Sequence, residues 1–407
     1  MTTTLKIYDK AVTQDNNTKS LSVLLFGLMI FFSFFEYDGF FQMQTFIIPA
    51  VLIVVATFFE LLFYRGIITI NRMYKLLFLF LVVNTLGLFL GIYPKSIEYV
   101  LFYFATAAFY FSLTYKSWNI KEVKYIVNSY YLTGLITAIL LITVGVLTNI
   151  GRYSFNLLGV EPLEVNFLAA LLCTPAMIAL KRSILYKSKL SILVNSIVFL
   201  TIMYGVFLTG SRAALVAIII SAFPILIYGK KSSKNSVLYK LIGFAILLTI
   251  IIALITWASN YLPEDIFQRL FLTSYEDNSN ERRLTLWVHS LEMYLESPAL
   301  GFGHDSFPTK HAELYGNYSP VHNTYLTILF NSGLVGFGLF ICFLYYAIKD
   351  CLKMENRLLM PIVLNTFITS FMINAILSLY FWINIIIVYQ CCNILREHEG
   401  YTVNDII

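Results

Sequence analysis

Apolar residues recur along this chain in long runs broken by short polar segments. The stretch SPVHNTYLTILFNSGLVGFGLF, residues 319–340, shows the pattern in one line: a water-compatible opening, an apolar continuation, and His322 where the two meet. A helix needs about 20 apolar residues to cross the hydrocarbon core of a bilayer. By that measure twelve spans are expected, near 21–35, 46–63, 76–93, 97–114, 125–147, 166–180, 191–208, 212–228, 238–257, 323–348, 358–374 and 379–395. Asn374 and Ser378 separate the last two only weakly. The polar N-terminal segment MTTTLKIYDKAVTQDNNTKS precedes the first run, and EYDGFFQMQ follows it without a small-residue cleavage site. This pattern predicts a retained first span and not a signal peptide.

One interruption is much longer than the rest. Residues 258–321, between spans nine and ten, form a large loop, and long loops in compact domains are usually functional. Inside it Leu284, Trp287, Val288, Leu291, Tyr294 and Leu295 recur at helical spacing. Residues 282–296 therefore predict an amphipathic helix, its apolar stripe lying on the membrane surface or packed on the bundle. That helix should end before Pro298, after which Gly301 and Gly303 permit a tight turn. With no convincing internal repeat, the expected fold is an all-α polytopic bundle of about twelve transmembrane helices. It forms one membrane domain over 1–407, with one large loop carrying short helices.

Composition agrees. Charged residues make up 13% of the chain, against about 25% in soluble domains, which points to the membrane. The five cysteines, Cys173, Cys342, Cys351, Cys391 and Cys392, lie in or beside apolar runs and read as small helix fillers. Charge sets the orientation, because cytoplasmic loops carry the excess of Lys and Arg. With both termini cytoplasmic, 21 of the 28 Lys and Arg residues fall on inner segments. The outer ones are Lys95, Arg152, Arg212, Arg269, Arg282, Arg283 and Lys310. The net charge of +5 thus reports topology and gives no reason to expect nucleic acid.

Charged groups inside spans are costly and usually functional, yet these spans are nearly clean, with Glu60 near a cytoplasmic end. The candidate chemistry sits at the outer ends. Arg212 follows a Gly210–Ser211 turn and stands in the first turn of span eight. Free N–H groups there favour an anion, and a guanidinium fork suits phosphate oxygens; an interfacial arginine reaching for headgroups is the plainer alternative. Arg282 and Arg283 offend the charge bias on the loop helix, near His304 and Asp305, and could attract a phosphorylated substrate or simply form a solvated face. His322 can take a proton from a hydroxyl near neutral pH, or can merely contact headgroups. His289, His304, His311 and His322 lack the close spacing of zinc ligands, so no metal is expected.

Three stretches together resemble the membrane family of O-antigen ligases and O-antigen or capsular polysaccharide polymerases. HNTYLTILFNSGLVG carries the family's pattern at His322, Asn323, Gly333 and Gly336; GSRAALVA places Arg212 at a span start; RLTLWVHSLEMYLESPALGFG resembles the arginine, aromatic and Gly-x-Gly stretch. The likeness covers roughly 205–340, with a weaker one at RYSFNLLGVEPLEVNFLAALL, where Arg152 precedes a span led by Asn166.

The resemblance implies a GT-C-like membrane glycosyltransferase of the cytoplasmic (inner) membrane with its active site extracytoplasmic. It would transfer a glycan from undecaprenyl diphosphate without cofactor or metal and with inversion. By the same resemblance His322 is the catalytic residue and Arg212 and Arg283 engage the diphosphate, with Arg152, Arg282 and Asn323 as further substrate-binding candidates. Partners are the lipid-linked glycan, membrane lipid and a glycan acceptor, with room for a chain-length regulator. The HNTYL and SPALGFG forms look more like polymerases than ligases. A ligase acting on lipid A–core is the near alternative, and a lipid or solute transporter the alternative of another class.

Overall fold

The apolar runs fold as helices wherever the structure describes them. The computed structural model describes residues 20–37, 47–64, 71–90, 97–148, 152–154, 160–162, 164–186, 188–228, 256, 260, 264–271, 279–304, 306–397 and 402–406. The polar N-terminal segment, nearly all of span nine (238–257) and Asp305 lie outside the described residues.

Eight helices come first: α1 (Leu21–Phe32), α2 (Ile47–Tyr64), α3 (Arg72–Leu90), α4 (Ile97–Thr114), α5 (Ile120–Val144), α6 (Val165–Leu185), α7 (Lys189–Leu208) and α8 (Arg212–Tyr228). The loop region contributes α9 (Glu264–Phe271), α10 (Ser279–Tyr294) and α11 (Ser306–Tyr315). Then follow α12 (Thr324–Ile348), α13 (Met360–Ser370), α14 (Leu379–Glu397) and the short α15 (Val403–Ile406).

Eleven of the twelve expected spans therefore appear as helices. Among the described residues five are long and apolar enough to cross a membrane: Ile120–Val144, Val165–Leu185, Lys189–Leu208, Thr324–Leu352 and Leu379–Glu397. Shorter apolar helices accompany them, Met360–Ser370 being one with only 11 residues. The helices mark a polytopic α-helical membrane protein. Two antiparallel ribbons add to the all-α expectation: β1 (Phe35–Tyr37) pairs with β4 (Val160–Pro162), and β2 (Val146–Leu147) with β3 (Tyr153–Ser154).

Packing follows from which faces are buried. α6 and α14 are the most enclosed of the long helices, and α6 runs along α7, α3 along α12, and α13 along α8. Large apolar residues such as Ile48, Phe58, Leu190 and Leu193 remain outward, as a bilayer requires. Between α6, α13 and α14 runs a buried polar layer. The Asn365 amide donates to Thr174 at 3.1 Å, the Thr174 hydroxyl to Asn384 Oδ1 at 3.1 Å, and the Asn384 amide to Thr366 at 2.8 Å. In a medium without water such bonds hold helices together where the hydrophobic effect cannot.

The two ends of the bundle differ. One end gathers Lys116 on Glu60, Arg72 on the Tyr346 hydroxyl, Lys353 and Arg396 on Asp350, and Lys181 on the Val403 carbonyl. These basic residues are among those read as facing one side of the membrane. The opposite end holds the starts of α6, α8, α12 and α14 and the loop helices α10 and α11.

α12 is not a continuous helix. At Gly333 the backbone turns to φ 62°, ψ −168°, a conformation essentially confined to glycine. The break frees two carbonyls, Phe330 and Asn331, and two N–H groups, Leu334 and Val335. The segment Pro298–Gly303 takes up all four. Phe302 N donates to Phe330 O at 3.0 Å and Gly303 N to Asn331 O at 2.9 Å; Leu334 N donates to Pro298 O at 2.8 Å and Val335 N to Ala299 O at 3.2 Å. Buried backbone groups must be paired, and here a loop pairs those a helix has released.

Around this joint lies a second apolar core of Leu286, Met293, Tyr294, Phe302, Phe307, Val321 and Phe330, with Phe302 stacked on Phe330 at 4.8 Å. The α10 stripe divides accordingly. Tyr294 is buried and Trp287 half-buried against this core, while Leu284, Val288, Leu291 and Leu295 stay exposed.

Candidate functional site

His322 stands just before α12 with φ 53°, the one non-glycine residue at positive φ among the described residues. Such a conformation costs about 1–2 kcal/mol, so its surroundings must hold it. On one side the Trp287 indole donates to the Val321 carbonyl at 3.1 Å. On the other, Asn323 Oδ1 caps α12 by accepting from Tyr325 N at 3.0 Å and Leu326 N at 3.1 Å. Thr324 then clamps a distant turn: its hydroxyl donates to Ile373 O at 2.8 Å and accepts from Ala375 N at 2.7 Å. Asn323, read as a substrate ligand, thus has its side-chain oxygen committed to the helix N-terminus.

The His322 side chain reaches solvent, yet its pKa lies below the ordinary imidazole value. Desolvation by its surroundings is the largest cause, and the like charges of Arg283 and Arg282 add to it. The imidazole is therefore neutral at pH 7 and free to accept a proton.

The adjacent arginines of α10 diverge. Arg282 donates to Ser319 Oγ at 2.8 Å, whereas Arg283 Nη1 lies 3.8 Å from the Met372 sulfur. Met372 lines a shallow cavity, about 200 Å³ including its mouth, together with Asn166, Ser211, Ala213, Ala214, Thr369 and Ile373. Arg212 sits in the chain between Ser211 and Ala213, after a Gly210 at φ 63° that makes the expected turn. Arg152, buried beside the β2–β3 ribbon, donates to Asn166 Oδ1 at 3.1 Å and pairs with Glu164 at 3.7 Å. Arg152, Arg212 and Arg283 are thus each tied to, or bonded next to, the wall of one cavity, although they come from three distant parts of the sequence.

A second cavity, about 410 Å³ including its mouth, lies across the Met372–Asn374 turn. His322, His304, Tyr103, Thr327, Asn331 and Asn374 line it with Phe307, Pro308, Pro320 and Val321. The His304 ring lies 4.5 Å from that of Tyr103 and is buried, which lowers its pKa to about 4. Asn374, Thr324 and Glu164 went unnoticed in the sequence as site-building residues; Asn374 stood only as a weak break between two apolar runs.

Two further histidines serve the loop. His289 Nδ1 lies 3.1 Å from His311 Nε2, and the His289 ring stacks on Tyr315 at 3.9 Å, tying α10 to α11. Among the described residues no group of three or more His, Cys, Asp or Glu side chains is placed to share a metal ion.

No curated protein matches the chain. A family model described as O-Antigen ligase matches residues 197–341. That stretch contains Arg212, Arg282, Arg283, His304, His322, Asn323 and the α12 break, and supports a ligase- or polymerase-type activity, that of a membrane glycosyltransferase. Arg152 and Asn374 fall outside it. The resemblance of this chain to the O-antigen ligase and polymerase family, first drawn from its motifs, is thus shown over residues 197–341.

Proposed function

We propose that this protein is a polysaccharide polymerase, transferring a growing glycan from undecaprenyl diphosphate to a hydroxyl of a lipid-linked repeat unit at the outer leaflet. The observation that supports this best is the gathering of three arginines around one cavity, across a single turn from a neutral histidine. A glycosyl diphosphate already has a competent leaving group if its charge is stabilised. Preorganised arginines provide that stabilisation without a metal. The acceptor oxygen attacks the anomeric carbon as the bond from that carbon to the phosphate oxygen breaks. The diphosphate leaves with the electron pair, the hydroxyl proton passes to His322, and the anomeric configuration inverts. Arg212 and Arg283 engage the diphosphate in this reading, with Arg152 supporting it through Asn166.

Purified protein given undecaprenyl-diphosphate-linked repeat units alone should make a ladder of products. His322→Ala should lower the rate by at least ~10²-fold, the usual worth of a general base. Arg212→Ala and Arg283→Ala should each weaken donor use. Unchanged activity in both arginine variants would remove the diphosphate clamp, and a product of retained configuration would exclude direct displacement. Full glycan assembly in cells carrying His322→Ala would favour a transporter.

The description of the matched family as O-Antigen ligase favours a second reading, transfer of the finished glycan to lipid A–core. Strict dependence of product on a core lipid would select it.

A further inference from the structure

The two cavities on either side of the Met372–Asn374 turn differ in their linings. At the first, Arg283 reaches Met372 and Arg152 reaches Asn166 of the wall, and Arg212 lies in the chain between Ser211 and Ala213. The second, although it contains His322, has no Asp, Glu, Lys or Arg in its wall. Burial keeps His304 uncharged at physiological pH, and the Arg283 and Arg282 charges that act on His322 stand on α10, outside this wall. It offers instead the faces of Tyr103 and His304, the hydroxyl of Thr327 and the amides of Asn331 and Asn374. Flat apolar surface with a few fixed polar groups is what a small neutral ligand needs.

Asn374 adds a sharper sign. Its Oδ1 is buried and makes no hydrogen bond among the described residues. Leaving a buried acceptor unpaired is unfavourable and calls for explanation. Thr324 fixes the main chain on both sides of it, at Ile373 O and Ala375 N. An unpaired acceptor on a fixed stretch of backbone at a cavity is suited to a donor that the ligand brings.

We propose that the second cavity is the acceptor's sugar subsite, taking a neutral, hydroxyl-rich ring with one hydroxyl donating to Asn374 Oδ1 and another presented to His322. The inference rests on the transferase reading above and deepens it by placing the acceptor. Displacement at an anomeric carbon needs the incoming oxygen opposite the departing diphosphate. A donor clamped on the arginine side and an acceptor held on the Asn374 side meet that requirement.

The test uses the full-length protein in detergent, with two measurements. One is binding of undecaprenyl diphosphate itself; the other is the repeat-unit concentration needed for half-maximal chain growth. Asn374→Ala should raise that concentration about tenfold, the worth of one good hydrogen bond, while leaving undecaprenyl diphosphate binding unchanged. Thr327→Leu, which fills the cavity from α12 at the loss of the hydroxyl's bond to Asn323 O, should do the same and decides the matter if Asn374→Ala does not fold. Unaltered half-saturation in the folded variants overturns the proposal, and so does a parallel loss of undecaprenyl diphosphate binding. Wild-type protein that neither binds undecaprenyl diphosphate nor builds chains would bring down the transferase reading, and the acceptor site with it.

Discussion

Three successive residues do three jobs at the mouth of the candidate site. His322 carries the titratable ring, Asn323 caps the helix that follows, and Thr324 fixes the turn that separates the two cavities. The first was legible as chemistry, because a histidine at the junction of polar and apolar sequence is unusual. The other two were not, since capping and clamping depend on partners that only the folded chain supplies. The pH dependence of the reaction belongs to this scale. Desolvation, Arg283 and Arg282 hold the His322 pKa below 6.5, so the ring is neutral near pH 7. Activity should be flat there and fall only as the pH drops through that lowered value. Arg282→Gln removes one like charge, lets the pKa rise towards the ordinary value, and should move the acidic limb to higher pH. Rate–pH profiles of both proteins check this; a limb that stays in place would assign the titration to another group.

At the scale of elements, the break in α12 was hidden. Asn331 and Ser332 stand just before Gly333, but a short polar step within an apolar run does not reveal that the helix's hydrogen bonds change hands there. Gly333 and Gly336 could be read as motif letters, but not as a joint. The structure gives the reason for the first: a Cβ at Gly333 would lie 2.3 Å from the carbonyl carbon and oxygen of Ala299, on top of a forbidden backbone conformation. Gly333→Ala should therefore cost about 2–5 kcal/mol, seen as a lowered unfolding midpoint in detergent with loss of chain growth. Gly338→Ala in the same helix is the control, because a Cβ there meets nothing within 4 Å; its midpoint should hold or rise slightly. Equal behaviour of the two variants would deny the joint its structural role. The α10 stripe was half legible: its period was right, but the face buried against Phe302 and Phe330 was set by the loop and not by the helix alone.

For the molecule as a whole, the span pattern was legible because a bilayer demands long helices with satisfied backbones. The β1–β4 and β2–β3 ribbons were not, since strands of two or three residues are too short to show alternation. The approach of Arg152 and Arg283 to one cavity wall, which also holds the chain neighbours of Arg212, was beyond spacing arguments too. It depends on how α6, α8, α10 and α13 pack, which uniformly apolar surfaces do not encode. Part of what does encode packing is the buried polar layer at Thr174, Asn365, Thr366 and Asn384. Asn384→Leu should lower stability by about 1 kcal/mol and leave undecaprenyl diphosphate binding intact; an unchanged unfolding midpoint would show that the layer holds nothing together.

The exchange of bonds between Pro298–Gly303 and the gap in α12 involves main chain on both sides. Side chains there are free to drift so long as the two ribbons of peptide still meet. A chimaera that borrows the loop from a related sequence must borrow the middle of the helix as well, and the two segments, some thirty residues apart, are inherited as one part.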